Sequence, residues 1–131
     1  DFILKNTIFI VQTENCCNDA ILDASDATMM DFARDELGYH HNKGLDFVAR
    51  FNGKYVVGEA KFLTAFGGHQ NAQFNDALNV LRVKGLRAVA VGILDGVLYI
   101  KSSGKIYASL TESSNDNIMS ALVLRNFLYQ L

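Results

Sequence analysis

The chain has 131 residues, half of them apolar and nine of them phenylalanine, which is enough for one domain with a buried core. Its formal net charge of −2 argues against a non-specific nucleic-acid binder with a uniformly basic surface, but it allows an enzyme with a local basic site. The two cysteines, Cys16 and Cys17, are adjacent and predict neither a disulfide framework nor a zinc site, so a reducing cytoplasm is expected. No apolar run is long enough to cross a membrane. A single domain over residues 1–131 is expected, and the start at Asp1 leaves open that it is a fragment of a longer protein.

The N-terminal third predicts a strand, a loop and a helix. Residues 2–11 are apolar and β-branched enough for a strand, and the polar residues after them predict a loop. From residue 21 to residue 37, apolar side chains recur at spacings of three, four and seven, which is typical of an amphipathic helix. Ser25 or Asp26 either caps this helix or interrupts it, and Gly38 ends it.

The middle of the chain predicts a β-hairpin. Residues 45–51 and 55–62 alternate like strands, and the dipeptide Asn52-Gly53 between them is the strongest short hairpin signal. Counting back from a two-residue turn puts Asp46 directly opposite Glu59.

Two opposed carboxylates and a lysine therefore share one face of the predicted hairpin. Asp46 and Glu59 are expected to have Cβ atoms about 4.5–5.5 Å apart, and Lys61 follows on the same face. Like charges held opposite one another repel, and a divalent cation bound by oxygen ligands is the expected reason for such a pair. The alternative is an exposed hairpin face with an ordinary surface ion pair.

The C-terminal half predicts two helices around a buried strand and a short return strand. After the turn Asp95-Gly96, residues 97–101 are expected to pair with the strand before it, and a loop of Ser and Gly follows. Asn115 or Asp116 then caps a helix that reaches the end, with Ile118, Met119, Leu122 and Leu128 on its apolar side. The earlier elements are a helix over 69–83 with Phe74, Ala77, Leu78 and Leu81 inward, its end at Gly85, and a buried strand over 87–94.

Asp46, followed on the next strand by Glu59-Ala60-Lys61, resembles the signature of the PD-(D/E)XK nuclease superfamily. The wider runs 43–46 and 58–62 are most similar to type II restriction endonucleases, although Leu45 stands where the family name has proline. The resemblance covers about residues 25–100 and implies an α/β fold with a mixed sheet flanked by helices in an α-β-β-β-α-β core. The family's first strand has no good candidate after the first helix, so either residues 2–11 take its place or the core is trimmed.

The resemblance also implies a chemistry, the Mg²⁺-dependent hydrolysis of DNA phosphodiester bonds by an endonuclease. Asp46, Glu59 and the main-chain carbonyl of Ala60 would bind Mg²⁺, for which Mn²⁺ can substitute. Lys61 would orient or activate the attacking water and add positive charge near the phosphate.

Further polar residues match positions that family members use. Glu36 matches an acidic residue supplied by the first helix, or it is ordinary surface charge. Gln73, and secondarily Gln70, match glutamines near the metal or the scissile phosphate, or they bond to loop backbone. The histidines are more simply explained as loop or helix-start residues than as a general base or metal ligands: His40, His41 and His69.

The implied partner is double-stranded DNA, bound by a homodimer because symmetric sites favour symmetric proteins, and no membrane is expected. The expected role is in restriction-modification. The amino-acid pattern does not predict which DNA sequence is recognised, since base contacts come from loops and helices that reach the groove. A repair nuclease or junction resolvase of the same fold is the alternative enzyme. A catalytically idle nucleic-acid-binding or assembly domain is the alternative without chemistry.

Overall fold

The computed structural model describes residues 8–9, 19–101, 104–112 and 116–131. Cys16, Cys17 and most of the strand predicted over 2–11 lie outside these residues. The helices and strands, in chain order, are β1 (Ile8–Phe9), β2 (Ala20–Asp23), α1 (Asp26–Leu37), β3 (Phe47–Phe51), β4 (Lys54–Leu63), α2 (Gly68–Leu81), β5 (Val89–Gly96), a 3₁₀ turn (Val97–Tyr99), α3 (Lys105–Glu112), β6 (Ile118–Met119) and α4 (Ala121–Tyr129).

A mixed β-sheet organises the described chain, and its strands lie side by side in chain order from β1 to β6. The strands from β1 to β4 are antiparallel to their neighbours, whereas β5 runs parallel to β4 and β6 runs parallel to β5. β4 is the longest strand, with ten residues, and it pairs with β3 on one side and with β5 on the other. The α/β class with a mixed sheet flanked by helices is thereby confirmed.

Three groups of buried apolar side chains hold helices against both faces of this sheet. One face packs against α1 through Met29, Ala33 and Leu37, and it continues into α2 and α3 through a second group that includes Phe74 and Ile106. The opposite face packs against α4, mainly through Leu128. Each buried aliphatic or aromatic side chain of this kind contributes about 1.5–3 kcal/mol, so the sheet is the rigid layer of the molecule.

The first predicted helix is wrong in its first five residues, 21–25. Ala20–Asp23 form β2, in which Leu22 points into the core while Ile21 faces solvent. The helix begins at Asp26, because the Ser25 side chain accepts a hydrogen bond from the backbone N–H of Thr28 and caps it. β2 pairs with β3, so it occupies the place of the family's first strand, ahead of the helix in the chain. Of residues 2–11, Ile8–Phe9 form β1, which pairs with β2 rather than with β3.

The C-terminal quarter differs most from the prediction. Gly96 is the last residue of β5, opposite Leu63, and a 3₁₀ turn follows where a return strand was expected over 97–101. The prediction of a hairpin at Asp95-Gly96 is therefore wrong, because both residues belong to the strand and pair with Phe62 and Leu63 of β4, so they do not form a turn. Helix α3 was not predicted at all.

The last helix begins later than predicted. Ile118–Met119 form β6 beside β5, and the Ser120 side chain caps α4 by accepting from the N–H of Leu122. Leu128 is buried as expected, but Leu122 is 90% exposed. The cap predicted at Asp116 is wrong because a β-branched residue, Ile118, joins the edge of the sheet first, and Asn115 lies outside the described residues.

The helix predicted over 69–83 is observed as α2, which ends at Leu81 rather than at Gly85. No helix within the described ranges is long and apolar enough to cross a membrane.

Candidate active site

The β3–β4 hairpin has the predicted turn and register. Asn52 and Gly53 both have positive φ, 50° and 76°, as a two-residue turn of this kind requires. Each observed pair, from Phe51 opposite Lys54 back to Phe47 opposite Gly58, follows the predicted counting. The next step would place Asp46 opposite Glu59, but β3 begins one residue after Asp46.

Asp46 therefore lies at the mouth of the hairpin, where β4 continues beyond β3. Its backbone N–H donates to the carbonyl of Gly58 at 2.9 Å. Its side-chain Oδ2 accepts from the backbone N–H of Ala60 at 2.6 Å. The Asp46 carboxylate thus accepts a backbone hydrogen bond from β4 at a position where β3 has ended. This bond fixes the carboxylate to the edge of β4, next to Glu59 in the chain.

The backbone carbonyl of Ala60 points to the same edge. In a strand, the N–H and C=O of one residue point to the same side, and alternate residues of β4 bond to β3. Ala60 follows Gly58 by two residues, so both of its main-chain groups face the β3 side, where Asp46 has taken the N–H. The Ala60 carbonyl oxygen is therefore an oxygen atom that could bind a metal ion on the same side of β4 as the Asp46 carboxylate.

Glu59 and Lys61 lie on the face of β4 that packs against α1 and α2, and they form a tight ion pair. Lys61 Nζ is 2.6 Å from Glu59 Oε1, and the two side chains are 28% and 9% exposed. The hydrogen bond that Lys61 donates to Glu59 raises the pKa of Lys61 above its ordinary value, partial burial opposes this, and the charges of Glu59, Asp46 and Asp76 add to the rise. Lys61 is therefore an ammonium at neutral pH, and a donor to any oxygen that enters the site.

Tyr39 is a site residue that the sequence did not indicate, because it lies in an irregular loop after α1. It is fully buried, and its hydroxyl donates to the carbonyl of Lys43 at 3.0 Å. Burial, and then the charge of Glu59, raise the pKa of Tyr39 to about 12. A neutral phenol thus lies within the electrostatic range of the buried carboxylate.

The glutamines of α2 differ in what they contact. Gln70 Oε1 accepts from the backbone N–H of Thr64 at 3.1 Å, which is the loop-backbone role that was the alternative for this residue. Gln73 is half-buried on the next turn, one turn before the buried Ala77. A site role for Gln73 stays a prediction.

Glu36 lies in the last turn of α1, and its contacts run through its main chain. Its carbonyl oxygen accepts from Arg87 at 2.9 and 3.3 Å. Arg87 precedes β5, whereas Glu59 pairs with Gly92, five residues or about 16 Å further along the strand direction. The structure anchors Glu36 away from Glu59, and the role of its carboxylate stays a prediction.

The histidines contact the loop rather than the carboxylates. His41 Nδ1 accepts from the backbone N–H of Lys43 at 3.1 Å, and its ring lies 6.0 Å from that of Tyr39. His40 and His69 are exposed. Within the ranges that the structure describes, His, Cys, Asp and Glu side chains form no group of three or more that could hold a metal ion. Any cation here would use two carboxylates with main-chain oxygen.

A protein-family model, described as Tsp45I type II restriction enzyme, matches residues 1–131. The chain belongs to the Tsp45I type II restriction enzyme family. It is a restriction endonuclease that acts on DNA, and the resemblance seen in the sequence is confirmed. The family favours this activity over repair, junction resolution or an idle assembly role. No curated protein and no solved structure matches the chain.

Proposed function

We propose that this Tsp45I-family endonuclease cleaves DNA with a divalent metal held by Asp46, Glu59 and the main-chain carbonyl of Ala60. The observation that carries the proposal is that Asp46 is bonded to the N–H of Ala60, next to Glu59 on β4, and that the charges of both carboxylates act on the Lys61 ammonium. All three donors are oxygens, which suits Mg²⁺, with Mn²⁺ as a substitute. When bound, such an ion lowers the pKa of water and offsets negative charge on the phosphate.

The chain's own residues complete the chemistry. Lys61 stays protonated next to Glu59, so it orients water and stabilises the charge that develops on the phosphate oxygens, rather than removing a proton. Gln73 is proposed to hold the water or the phosphate. Gln70 is already bonded to Thr64, so we assign it to shaping the loop between β4 and α2.

The enzyme is proposed to act as a homodimer, with one site for each DNA strand. The exposed part of α4 supports this, because Leu122 is 90% exposed and Val123 is 48% exposed in the single chain. Apolar side chains of this size are commonly covered by a second copy. Light scattering on wild type and Leu122→Glu tests it: a wild-type dimer that becomes a monomer is expected, whereas equal masses would exclude this face.

The decisive experiment incubates wild type and Glu59→Gln with a mixture of long double-stranded DNAs, with and without Mg²⁺. Discrete fragments are expected from wild type only when Mg²⁺ or Mn²⁺ is present, and none from Glu59→Gln. Asp31→Asn is the matched control, because it removes one carboxylate charge from an exposed ion pair on α1. Fragments formed by wild type in EDTA, or by Glu59→Gln at the wild-type rate, would contradict the proposal.

A further inference from the structure

The irregular segment between α1 and β3 ends in Asp46, and one residue within it is held at three points. The backbone N–H of Lys43 donates to His41 Nδ1 at 3.1 Å, and its carbonyl accepts from the Tyr39 hydroxyl at 3.0 Å. Its Nζ lies 3.0 Å from Asp76 Oδ2, on α2. Lys43 is thus tied to its own loop, to a buried phenol and to a helix 33 residues away.

These three contacts differ in strength. The Lys43 and Asp76 side chains are 52% and 33% exposed, and an isolated surface ion pair of this kind adds little stability. The Tyr39 residue is buried, however, and its hydroxyl is satisfied by the hydrogen bond to Lys43; among the described residues no buried side-chain N or O atom lacks a partner. The Lys43–Asp76 ion pair therefore matters for the position in which it holds the loop rather than for the stability that it adds.

Holding Lys43 restricts Asp46. Asp46 follows Lys43 by three positions, and such a stretch spans at most about 11 Å. At its far end the Asp46 backbone and carboxylate are bonded to Gly58 and Ala60. A short loop fixed at both ends has few conformations, so a change at Lys43 is transmitted to the Asp46 carboxylate.

Asp76 belongs to a helix, α2, whose packing against the sheet does not depend on the loop. Its neighbour Ala77 and the preceding Phe74 are buried against the sheet, so α2 is held in place independently of the loop. The Asp76 carboxylate also acts on Lys61 electrostatically, which places it near the ion pair of the site.

We infer that Asp76 and Tyr39 are positioning residues for the nuclease reaction: through Lys43 they hold the Asp46 loop so that its carboxylate stays at the edge of β4. This inference rests on the proposed metal-dependent function. Partners that orient metal ligands from outside typically account for about 10- to 100-fold in metal affinity or activity.

The test measures kcat, KM for DNA and the Mg²⁺ concentration giving half-maximal rate in Asp76→Asn, Tyr39→Phe and Asp31→Asn. Asp76→Asn and Tyr39→Phe should lower kcat about 10- to 100-fold and raise the half-saturating Mg²⁺ concentration, with a smaller effect on KM. Asp76→Glu should recover part of the loss. Asp31→Asn, which breaks an exposed pair with Arg34 at 3.1 Å, should match wild type.

The Lys43→Met variant tests whether Asp76 acts on Asp46 through Lys43. If Asp76 acts through Lys43, Lys43→Met combined with Asp76→Asn should be no slower than the slower single variant. Full additivity of the two losses would overturn the inference, as would wild-type kcat and Mg²⁺ half-saturation in Asp76→Asn. Inactive wild type would instead refute the proposed function, and melting curves of each variant separate a kinetic loss from unfolding.

Discussion

Lys61 shows how one side chain can serve both folding and chemistry. Its ammonium is the partner of the buried Glu59 carboxylate at 2.6 Å, and in the proposed mechanism it also stabilises charge on the phosphate. A buried carboxylate without a partner is costly, so some of the effect of removing Lys61 falls on stability. The chemical role must be separated from this one.

Lys61→Ala should abolish cleavage while divalent metal binding is retained, because Lys61 supplies no ligand atom and its loss removes positive charge near the cation site. Glu59→Ala should lose both. Isothermal titration with Mn²⁺, alongside cleavage assays of wild type, measures the two properties separately. A Lys61→Ala protein that cleaves DNA at the wild-type rate would show that the assigned role is wrong.

Tyr39 gives a pH dependence of known sign. Burial and the charge of Glu59 raise its pKa from 10.0 to about 12, so the folded protein holds the phenolic proton more tightly than the unfolded chain. The associated stability is present below pH 10 and is lost as pH rises towards 12. The free energy of unfolding of wild type should fall in that window.

The free energy of unfolding of Tyr39→Phe should fall less steeply over the same pH range, because this variant has no phenolic proton to lose. Urea unfolding at several pH values above 9 measures this, at slopes of up to about 1.4 kcal/mol per pH unit for one proton. The pKa of Lys61 is also raised, so Lys61 contributes a loss of stability of the same sign above its ordinary pKa of 10.5 in both proteins. Equal slopes in the two proteins would contradict the assignment.

At the scale of elements, the sequence predicted best what is decided locally. The Asn52-Gly53 turn fixes the register of β3 and β4 without help from the rest of the chain, so the edge carrying Asp46 and Glu59 could be predicted. Asp95-Gly96 carries the same kind of signal, yet no hairpin forms there. Pairing with β4 overrides it, and sequence spacing contains no information on that contact.

Two short strands were missed for the same reason. β2 has four residues and β6 has two, and each is a strand only because a neighbour offers hydrogen bonds. Helix α3 did carry a usable signal, since Ile106 and Leu110 are four residues apart and both pack into the core. The loop composition before it concealed that spacing.

The hairpin makes a specific demand at Gly58, one residue before Glu59. A Cβ atom at Gly58 would overlap the ring of Phe47 on the facing strand, whereas a Cβ at Gly44 would meet no atom within 4 Å. Gly58→Ala should lower the free energy of unfolding by about 1–3 kcal/mol, as overpacked cores do, and should shift Glu59. Gly44→Ala is the matched control and should change stability little; a similar small change in Gly58→Ala would mean that the ring simply moves aside.

At the scale of the whole molecule, the proposed site and its positioning residues come from three segments of the chain. The hairpin supplies Asp46, Glu59 and Lys61, the loop after α1 supplies Tyr39, and α2 supplies Asp76. The first group was predictable because a turn fixes it. The other two were not, because only the packing of α1 and α2 on one face of the sheet brings them there.

Metal binding should be visible as stability of the whole fold. An ion that binds only the folded protein stabilises it by about 2.7 kcal/mol at a hundredfold excess over Kd, which raises the melting temperature of a domain this size by several degrees. Mn²⁺ or Mg²⁺ should produce that rise in wild type and a smaller one in Asp46→Asn. Differential scanning calorimetry with and without the ion measures both.

The stabilities of wild type and Asp46→Asn without metal test whether the two carboxylates repel each other in the folded protein. Glu59 is already paired with Lys61, and Asp46 accepts from Ala60, a bond that an asparagine oxygen can also accept. Asp46→Asn without metal should therefore have stability equal to or slightly above that of wild type, since one negative charge is removed and the hydrogen bond is kept. If Mn²⁺ raises the melting temperature equally in both proteins, the ion binds elsewhere, and the carboxylates at the edge of β4 only hold the hairpin and Lys61 in place.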